Sequence, residues 1–432
     1  MKLTVVGMGF VGLVNAVGFA EKGHQVFALD ADKKKIAALR KNEITNINNE
    51  YKLNDILEKN DMNIRFTSEF RDAIYDSNVI MLAIDPIEKE GGKIDLTPLY
   101  QTAKECCRFI SRDCFIIIRT TVPVGTSREL KEFMTTLTDH KYNIDVIANP
   151  EFLAQGSAVR DMLSPARIVC GVATKDAQQI MKELYAGFES PLLFVSPESA
   201  ELIKYASNCY LAVKLSYINE MADLCDAVGA DIQEVSFGIG LDPRIGVKYL
   251  SSGVGFGGPS IPMDTRVLEQ IANTHNVKLS IVDAAIKVND SRPHALIEKI
   301  KSVLGHVQGY RFAVLGLSYK GDTDDIRQSP AFKVIDELLR EEGRVIAYDS
   351  ISTLSFRKKM KSDQHLDYAN SLEEALRTCD CAIFLNESEE FKKLTNAEIV
   401  EYMKKPIVFD GKAVLNPFKL PDVQYYAIGK KK

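Results

Sequence analysis

From residue 1 to about 200, short apolar runs alternate with amphipathic stretches. The runs LTVVGMG, QVFALD, VIMLAI, FIIIRTTV, DVIANP and RIVCGV are β-rich, while residues 32–41 and 99–109 repeat their apolar positions at helical spacing. That alternation predicts parallel strands linked by crossover helices. Residues 199–228 keep helical periodicity without Gly or Pro. They predict one long helix, of the kind that connects domains or forms a dimer seam. A mostly helical stretch that includes 280–290 runs to about residue 305. A second alternation follows, with RFAVLGLSYK, RVIAYDS, CAIFLN and PIVFDG as strands and 331–342 and 371–379 as helices. The pattern is two α/β domains joined by a helical block. It suggests one ligand on each and chemistry in the cleft between them.

Composition narrows the function classes. A chain of 432 residues, 46% hydrophobic, can bury sizeable cores. Its net charge of -5, with Lys and Arg spread along the sequence, offers no patch for nucleic acid. An anionic ligand must therefore be held locally. Gly7, Gly9 and Gly12 punctuate the apolar start, which does not read as a signal peptide, and no run reaches the roughly 20 apolar residues that span a bilayer. A soluble, cytoplasmic protein is expected. The eight cysteines (106, 107, 114, 170, 209, 225, 379 and 381) lack metal-ligand spacing and suit reduced thiols. Cys379 and Cys381 read as two strand residues on one face. With no histidine cluster either, no metal is expected.

Gly7-x-Gly9-x-x-Gly12 follows the first strand and opens a helix, and Asp30 ends the next strand. Such glycines allow a tight turn and close approach of a pyrophosphate to a helix N-terminus, and the carboxylate would bond a ribose 2′-OH. A carboxylate there favours NAD over NADP. Lys204 and Asn208 stand four apart on the long helix and share a face. They could stabilise an oxyanion, or the lysine could relay a hydroxyl proton; on spacing alone Lys204 reads more simply as a solvated surface lysine. The segment GVGFGGPSIPMD, residues 253–264, must be a loop with unusual dihedrals. Within it Ser260 and Asp264 are candidates for nucleophile and water-activating base, or for a cap and a turn former. Glu151 after DVIA, Thr121 after FIIIR, and the 318–330 segment with Lys320, Asp322, Asp324, Asp325 and Arg327 lie beyond strand ends, where open sheets bind ligands.

Taken together, GMGFVG, TTVPVGT, NPEFLAQGSA, AELIKYASN, DPRIG, GVGFGGPSIPMDT and GLSYKGDTDDIRQSP resemble the UDP-glucose/GDP-mannose dehydrogenases over nearly the whole chain, in the family's order and spacing. The resemblance implies an α/β fold of two Rossmann-like, doubly wound parallel-sheet domains joined by a helical dimerisation core. The NAD-binding domain would span 1–198, the dimerisation core 199–305 and the nucleotide-sugar domain 306–432. It implies oxidation of a sugar CH2OH to a carboxylate by two NAD, with UDP-glucose the leading substrate, in a homodimer. Lys204 and Asn208 would stabilise oxyanions, Glu151 would transfer protons, Asp264 would activate water, and Thr121 would serve both catalysis and NAD. Gly7, Gly9, Val11, Gly12, Asp30, Lys35, Arg327 and position 263 would complete the cofactor site. Phe152, Leu153, Tyr249, Leu250, Gly253, Gly257 and Lys320 would hold the nucleotide sugar together with Glu151, Lys204 and Asn208, and Arg244 would reach it from the partner subunit.

Three positions depart from the family pattern. Its nucleophilic cysteine is Ser260, its lysine near the cofactor phosphates is Met263, and Asp85-Pro86 stands where T-P is usual. A serine hydroxyl is far less ionised than a thiol and its adduct would be an ester, so four-electron turnover is expected to be impaired, with an aldehyde-level or ester-level intermediate accumulating. Met263 removes a positive charge, so NAD is expected to bind more weakly or differently. The retained Lys204, Asn208, Glu151 and Asp264 favour an altered enzyme. The competing readings are a dehydrogenase of a UDP-N-acetylhexosamine or GDP-mannose, a nucleotide-sugar-binding protein without turnover, and, more distantly, a β-hydroxyacid dehydrogenase.

Overall fold

A computed structural model describes residues 1–43, 50, 52–89 and 92–430. The chain divides into two units, Met1–Ser207 and Asn208–Lys432. In the first, the alternation folds into β1 (Lys2–Val6), β2 (Gln25–Leu29), β3 (Ile64–Thr67), β4 (Val79–Leu82), a small hairpin of β5 (Ile87–Lys89) and β6 (Lys93–Asp95), then β7 (Cys114–Ile118), β8 (Ile144–Ala148), β9 (Ile168–Gly171) and β10 (Leu192–Val195). Eight of these form one sheet in the order β10-β9-β8-β7-β4-β1-β2-β3. Chain order reverses beside β1, which creates a ligand-binding crevice at the carboxyl ends of the strands.

Residues 4, 79–82 and 144–148 are buried throughout because apolar layers cover both sheet faces. Leu13, Val17 and Phe19 of the helix Phe10–Glu21 pack in one layer, and Leu99, Ala103, Leu130 and Met134 pack in the other. One expectation is corrected here. The RIVCGV strand, β9, meets β8 antiparallel through the pair Ala148 and Gly171, and β10 then runs parallel to β9. The connection from β8 to β9 carries the six-residue helix Ala158–Leu163.

The long helix is Pro197–Val228, and it carries the chain from one unit into the other. Proline is tolerated in its first turn, where an amide proton would lack a helical acceptor. Its end is set by Gly229 at φ +80°, with the amides of Gly229 and Ala230 both returning to the carbonyl of Cys225. The helices Ile261–Thr274 and Ser280–Leu304 follow.

The second sheet is parallel throughout. Its strands are β11 (Arg311–Leu315), β12 (Arg344–Tyr348), β13 (Leu366–Tyr368), β14 (Cys381–Phe384), β15 (Ile407–Asp410) and β16 (Gln424–Ala427), in the order β13-β12-β11-β14-β15-β16. Here too a reading changes: Cys379 lies in the turn before β14, and its Sγ donates to the carbonyl of Ala375 at 3.0 Å. The helix expected over 371–379 spans only Leu372–Leu376, so the chain is still turning at Cys379. No helix among the described residues is long and apolar enough to cross a membrane.

Candidate active site

In the first unit, the turn between β1 and the helix Phe10–Glu21 is built by its glycines. Gly7 adopts φ +94°, and a β-carbon on Gly12 would lie 1.7 Å from the carbonyl oxygen of Gly7. A β-carbon on Gly7 would meet the carbonyl of Ala83 at 2.5 Å. Only bare backbone fits, so a helix N-terminus is left open to an anion. Asp30 closes the corner. Its carboxylate accepts from the amides of Met8 (2.8 Å) and Asp32 (2.9 Å) and from Lys35 Nζ (2.8 Å). These residues fit the pyrophosphate and ribose of a dinucleotide. Lys35 stands as partner of Asp30, and Val11 points into the core.

Beyond β8, Glu151 and Lys204 form a buried ion pair. Lys204 Nζ donates to Glu151 Oε1 at 3.0 Å and to the carbonyl of Glu151 at 2.9 Å. Glu151 also accepts from the amide of Leu153. The Phe152 ring lies between two cations, with Arg167 at 3.9 Å and Lys204 at 5.4 Å from its centroid. Lys204 and Thr121 line a small crevice with Thr120, Asn149 and Glu201. Lys204 is therefore a fixed, buried ammonium, and the solvated-lysine reading is set aside.

The second unit holds Asn208, Ser260 and Asp264. Ser260 precedes the helix Ile261–Thr274, and its carbonyl accepts from the amide of Asp264 at 2.8 Å. Asn208 Nδ2 donates to the buried Asp264 Oδ2 at 2.5 Å. The Ser260 hydroxyl is half-buried and makes no hydrogen bond among the described residues, neither capping its helix nor meeting a base. Nearby Cys209 donates to the Asp264 carbonyl at 3.7 Å, and burial pushes its thiol up to about 12, so it is no ready thiolate. Met263 occupies the first turn of the same helix, half-buried.

The glycine loop is docked on the loop after β11. Gly258 donates to the Arg327 carbonyl at 2.9 Å, and a β-carbon on Gly257 would come within 2.2 Å of the Gln328 carbonyl. Arg327 itself pairs with Asp325, and the Lys320 carbonyl accepts from Ser318. Tyr249 is held at φ +63° with its side chain partly exposed, while Leu250 is buried in the core. The Gly253 amide bonds Asn219 Oδ1 at 2.7 Å. Arg244 is exposed and forms a two-pronged bond with Asp242.

Two positioning residues escaped the sequence reading. Buried Arg119 donates Nε to Asn15 Oδ1 (2.8 Å) and Nη1 to Asn149 Oδ1 (3.0 Å) and the Asn149 carbonyl (3.1 Å), tying the cofactor helix to the turn that carries Glu151. Buried Glu201, one turn before Lys204, accepts from the amides of Gly125 (2.6 Å) and Ser127 (2.8 Å). Burial pushes its carboxyl up, against the pull of those donors. A carboxylate inside the apolar periodicity of AELIKYASN was the available signal.

Sequence models of the UDP-glucose/GDP-mannose dehydrogenase family match in three successive stretches: its NAD binding domain over 1–189, its central domain over 198–291 and its UDP binding domain over 313–417. The chain is 35% identical to UDP-glucose 6-dehydrogenase YwqF of Bacillus subtilis, covering 100% of this chain and 98% of that protein. It is 37% identical to a UDP-glucose 6-dehydrogenase of Rickettsia conorii, with 100% of both covered. Among solved structures it is similar to a UDP-glucose dehydrogenase of Pyrobaculum islandicum (TM-score 0.91, 29% identity, 100% and 98% covered). A UDP-D-ManNAc dehydrogenase of Pyrococcus horikoshii shares the fold at a TM-score of 0.85 and 22% identity, with 100% and 99% covered.

Proposed function

This chain belongs to the UDP-glucose/GDP-mannose dehydrogenase family, and from that premise we propose that it oxidises C6 of UDP-glucose with NAD and is slowed at the second oxidation by Ser260. The observation that carries this reading is that the family's polar pairs are retained in each unit while position 260 carries a hydroxyl instead of a thiol. Lys204 and Glu151 remain a buried pair in the first unit and Asn208 still holds Asp264 in the second, where the Ser260 side chain does not cap its helix. UDP-glucose is preferred over other nucleotide sugars because whole-length relatives at 35–38% identity carry that specificity in their names.

Bound NAD supplies the hydride acceptor. Lys204 stabilises the alkoxide as the C6 hydroxyl loses its proton, and Glu151 takes part in that proton transfer. Loss of one hydride leaves an aldehyde. Asn208 supports the oxyanion formed when a nucleophile adds to that aldehyde, and Asp264 activates water. Addition of Ser260 Oγ would give a hemiacetal, loss of a second hydride an ester, and hydrolysis the carboxylate. Both the addition and the hydrolysis are slower than for a thiol.

The proposal keeps an NAD-binding domain at 1–198, a dimerisation core at 199–305 and a nucleotide-sugar domain at 306–432, in a cytoplasmic homodimer. Exposed Tyr210, Tyr217 and Leu224, seven residues apart on the long helix, together with exposed Phe237 and Leu241, support self-association. The test is NADH formed per sugar with excess NAD, compared with Ser260→Cys. Two NADH per sugar from the cysteine variant and a stall in the parent uphold the reading. Two NADH from the parent at the same rate remove the covalent role of position 260, and no NADH from either with any nucleotide sugar removes the enzyme.

A further inference from the structure

We propose that Arg167 is a further positioning residue of the reaction: a guanidinium set on the Phe152 ring that holds a positive charge beside the Lys204–Glu151 pair and so favours the negatively charged transition state. The inference rests on the dehydrogenase reading and concerns a residue to which that reading gives no role.

The placement is built from three segments of the first unit. Arg167 immediately precedes β9, Phe152 follows Glu151 in the loop after β8, and Lys204 and Ser207 stand about one turn apart on the long helix. The Phe152 ring packs against Ala148, Val169 and Ala200, which fixes it where the three segments meet. Arg167 Cζ lies 3.9 Å from the ring centroid and Lys204 Nζ 5.4 Å. Arg167 Nη2 donates to Ser207 Oγ at 3.0 Å, and that hydroxyl donates in turn to the Ile203 carbonyl at 2.7 Å. Arg167 is thus held by a ring face and by a neutral hydroxyl on the helix that carries Lys204. Among the described residues no carboxylate pairs with it, and burial alone pushes its pKa down. A half-buried guanidinium without an acid is costly to keep, and an aromatic face offsets only part of that cost.

What that charge does follows from its neighbours. Lys204 is in contact with Glu151 Oε1 at 3.0 Å, so its field on a third group is largely cancelled. Glu201 lines the same crevice as Lys204, and Arg119 donates to the Asn149 and Pro150 carbonyls beside it. With both acids ionised, Lys204, Arg119 and Arg167 set against Glu151 and Glu201 leave one positive charge, and without Arg167 the group is neutral. The C6 alcohol is neutral when bound. As its hydride passes to NAD and its hydroxyl proton departs through Glu151, negative charge builds on the oxygen. A fixed positive charge nearby therefore speeds this step and changes substrate binding little.

The experiment follows the first NADH formed per site from UDP-glucose by stopped flow, with saturating NAD, in the full chain and in Arg167→Gln, Arg167→Met and Arg167→Lys. Affinity for UDP-glucose is measured alongside by titration calorimetry. Both neutral variants should lose about tenfold in the maximal rate of that first step, the size of one charge acting across a side chain in a partly solvated site. Their affinity for UDP-glucose should stay within about twofold of the parent's. Lysine keeps the charge without the planar fork and should hold the rate within about threefold. Deuterium at C6 should slow the neutral variants at least as strongly as the parent, because the hydride step is the one impaired. An unchanged rate in the neutral variants overturns the proposal. An equal loss in Arg167→Lys also overturns it, since the residue would then act by shape alone, and so does weaker UDP-glucose affinity with the rate retained. Each of these outcomes leaves the dehydrogenase reading standing. No NADH from the parent or from Ser260→Cys removes that reading, and this proposal with it. Two neutral variants guard against a folding defect in either one, read by circular dichroism.

Discussion

The two sheets begin with the same corner, built twice from unrelated residues. In the first unit, Gly7 at φ +94° donates to the Leu29 carbonyl at 2.7 Å, and Asp30 accepts from the next amide, Met8, at 2.8 Å. In the second, Gly316 at φ +95° donates to the Tyr348 carbonyl at 2.9 Å, and Asp349 accepts from the next amide, Leu317, at 3.0 Å. Each carboxylate also takes an amide two residues on, from Asp32 and from Ile351. The corners part at the mouth. Asp30 keeps an exposed edge and a partly exposed lysine. Asp349 is buried, with Asn386 Nδ2 at 3.0 Å and the Ser352 amide at 2.9 Å completing its shell. No glycine-opened helix follows β11; the loop over 318–330 does. One corner is open at its mouth and the other is filled by buried polar partners. What separates them is which groups fill the space in front of the carboxylate.

The largest test of that difference is Asp349→Ala, which would strand several buried donors. It should lower the stability of the second unit by about 3–5 kcal/mol, read from its chemical denaturation midpoint, while Asp30→Ala should cost about 1 kcal/mol. A small loss at Asp349 would mean that its corner is as open as the first. Next, Gly12→Ala drives a methyl into the Gly7 carbonyl and should weaken NADH binding by roughly 100-fold or more, measured by fluorescence titration. Asp30→Asn should relax the preference for NADH over NADPH by about tenfold in the same titration, by removing the charge facing a 2′-phosphate.

The smallest effect concerns pH. His24 in the first unit is buried, and its pKa is pushed down first by burial and then by the N-terminal ammonium, against a bond from its Nε2 to the Leu184 carbonyl at 2.9 Å. The folded state therefore takes up this proton less readily than the unfolded chain, so stability falls as pH drops through the range below about 6.5. His24→Gln should flatten the slope of stability between about pH 6.5 and 5.

Much of the site was legible because it is written in backbone requirements. Gly7, Gly9 and Gly12, the carboxylate at the end of β2 and the helical spacing of Lys204 and Asn208 are local signals. Their geometry follows from φ, ψ and the 3.6-residue repeat. The short strands β3, β10, β13 and β16 were less visible; each is only three or four residues long, and β10 is only partly buried. Asp349 was read as part of a strand end with no role, because its sequence setting, AYDS, resembles that of Asp30, ALDA, too closely to reveal which is filled.

By itself, the sequence determined the two α/β alternations, the long helix between them, the glycine turn and the substitution at position 260. Tertiary structure alone decided that β9 runs antiparallel to β8, that Arg119 joins Asn15 to Asn149, that Glu201 caps a distant turn, and that Lys204 is buried against Glu151. The physical reason is one of range. Periodicity and dihedral preference act between neighbours, but a buried polar group needs partners, and those come from whatever distant segment the packed core brings within about 3 Å of it.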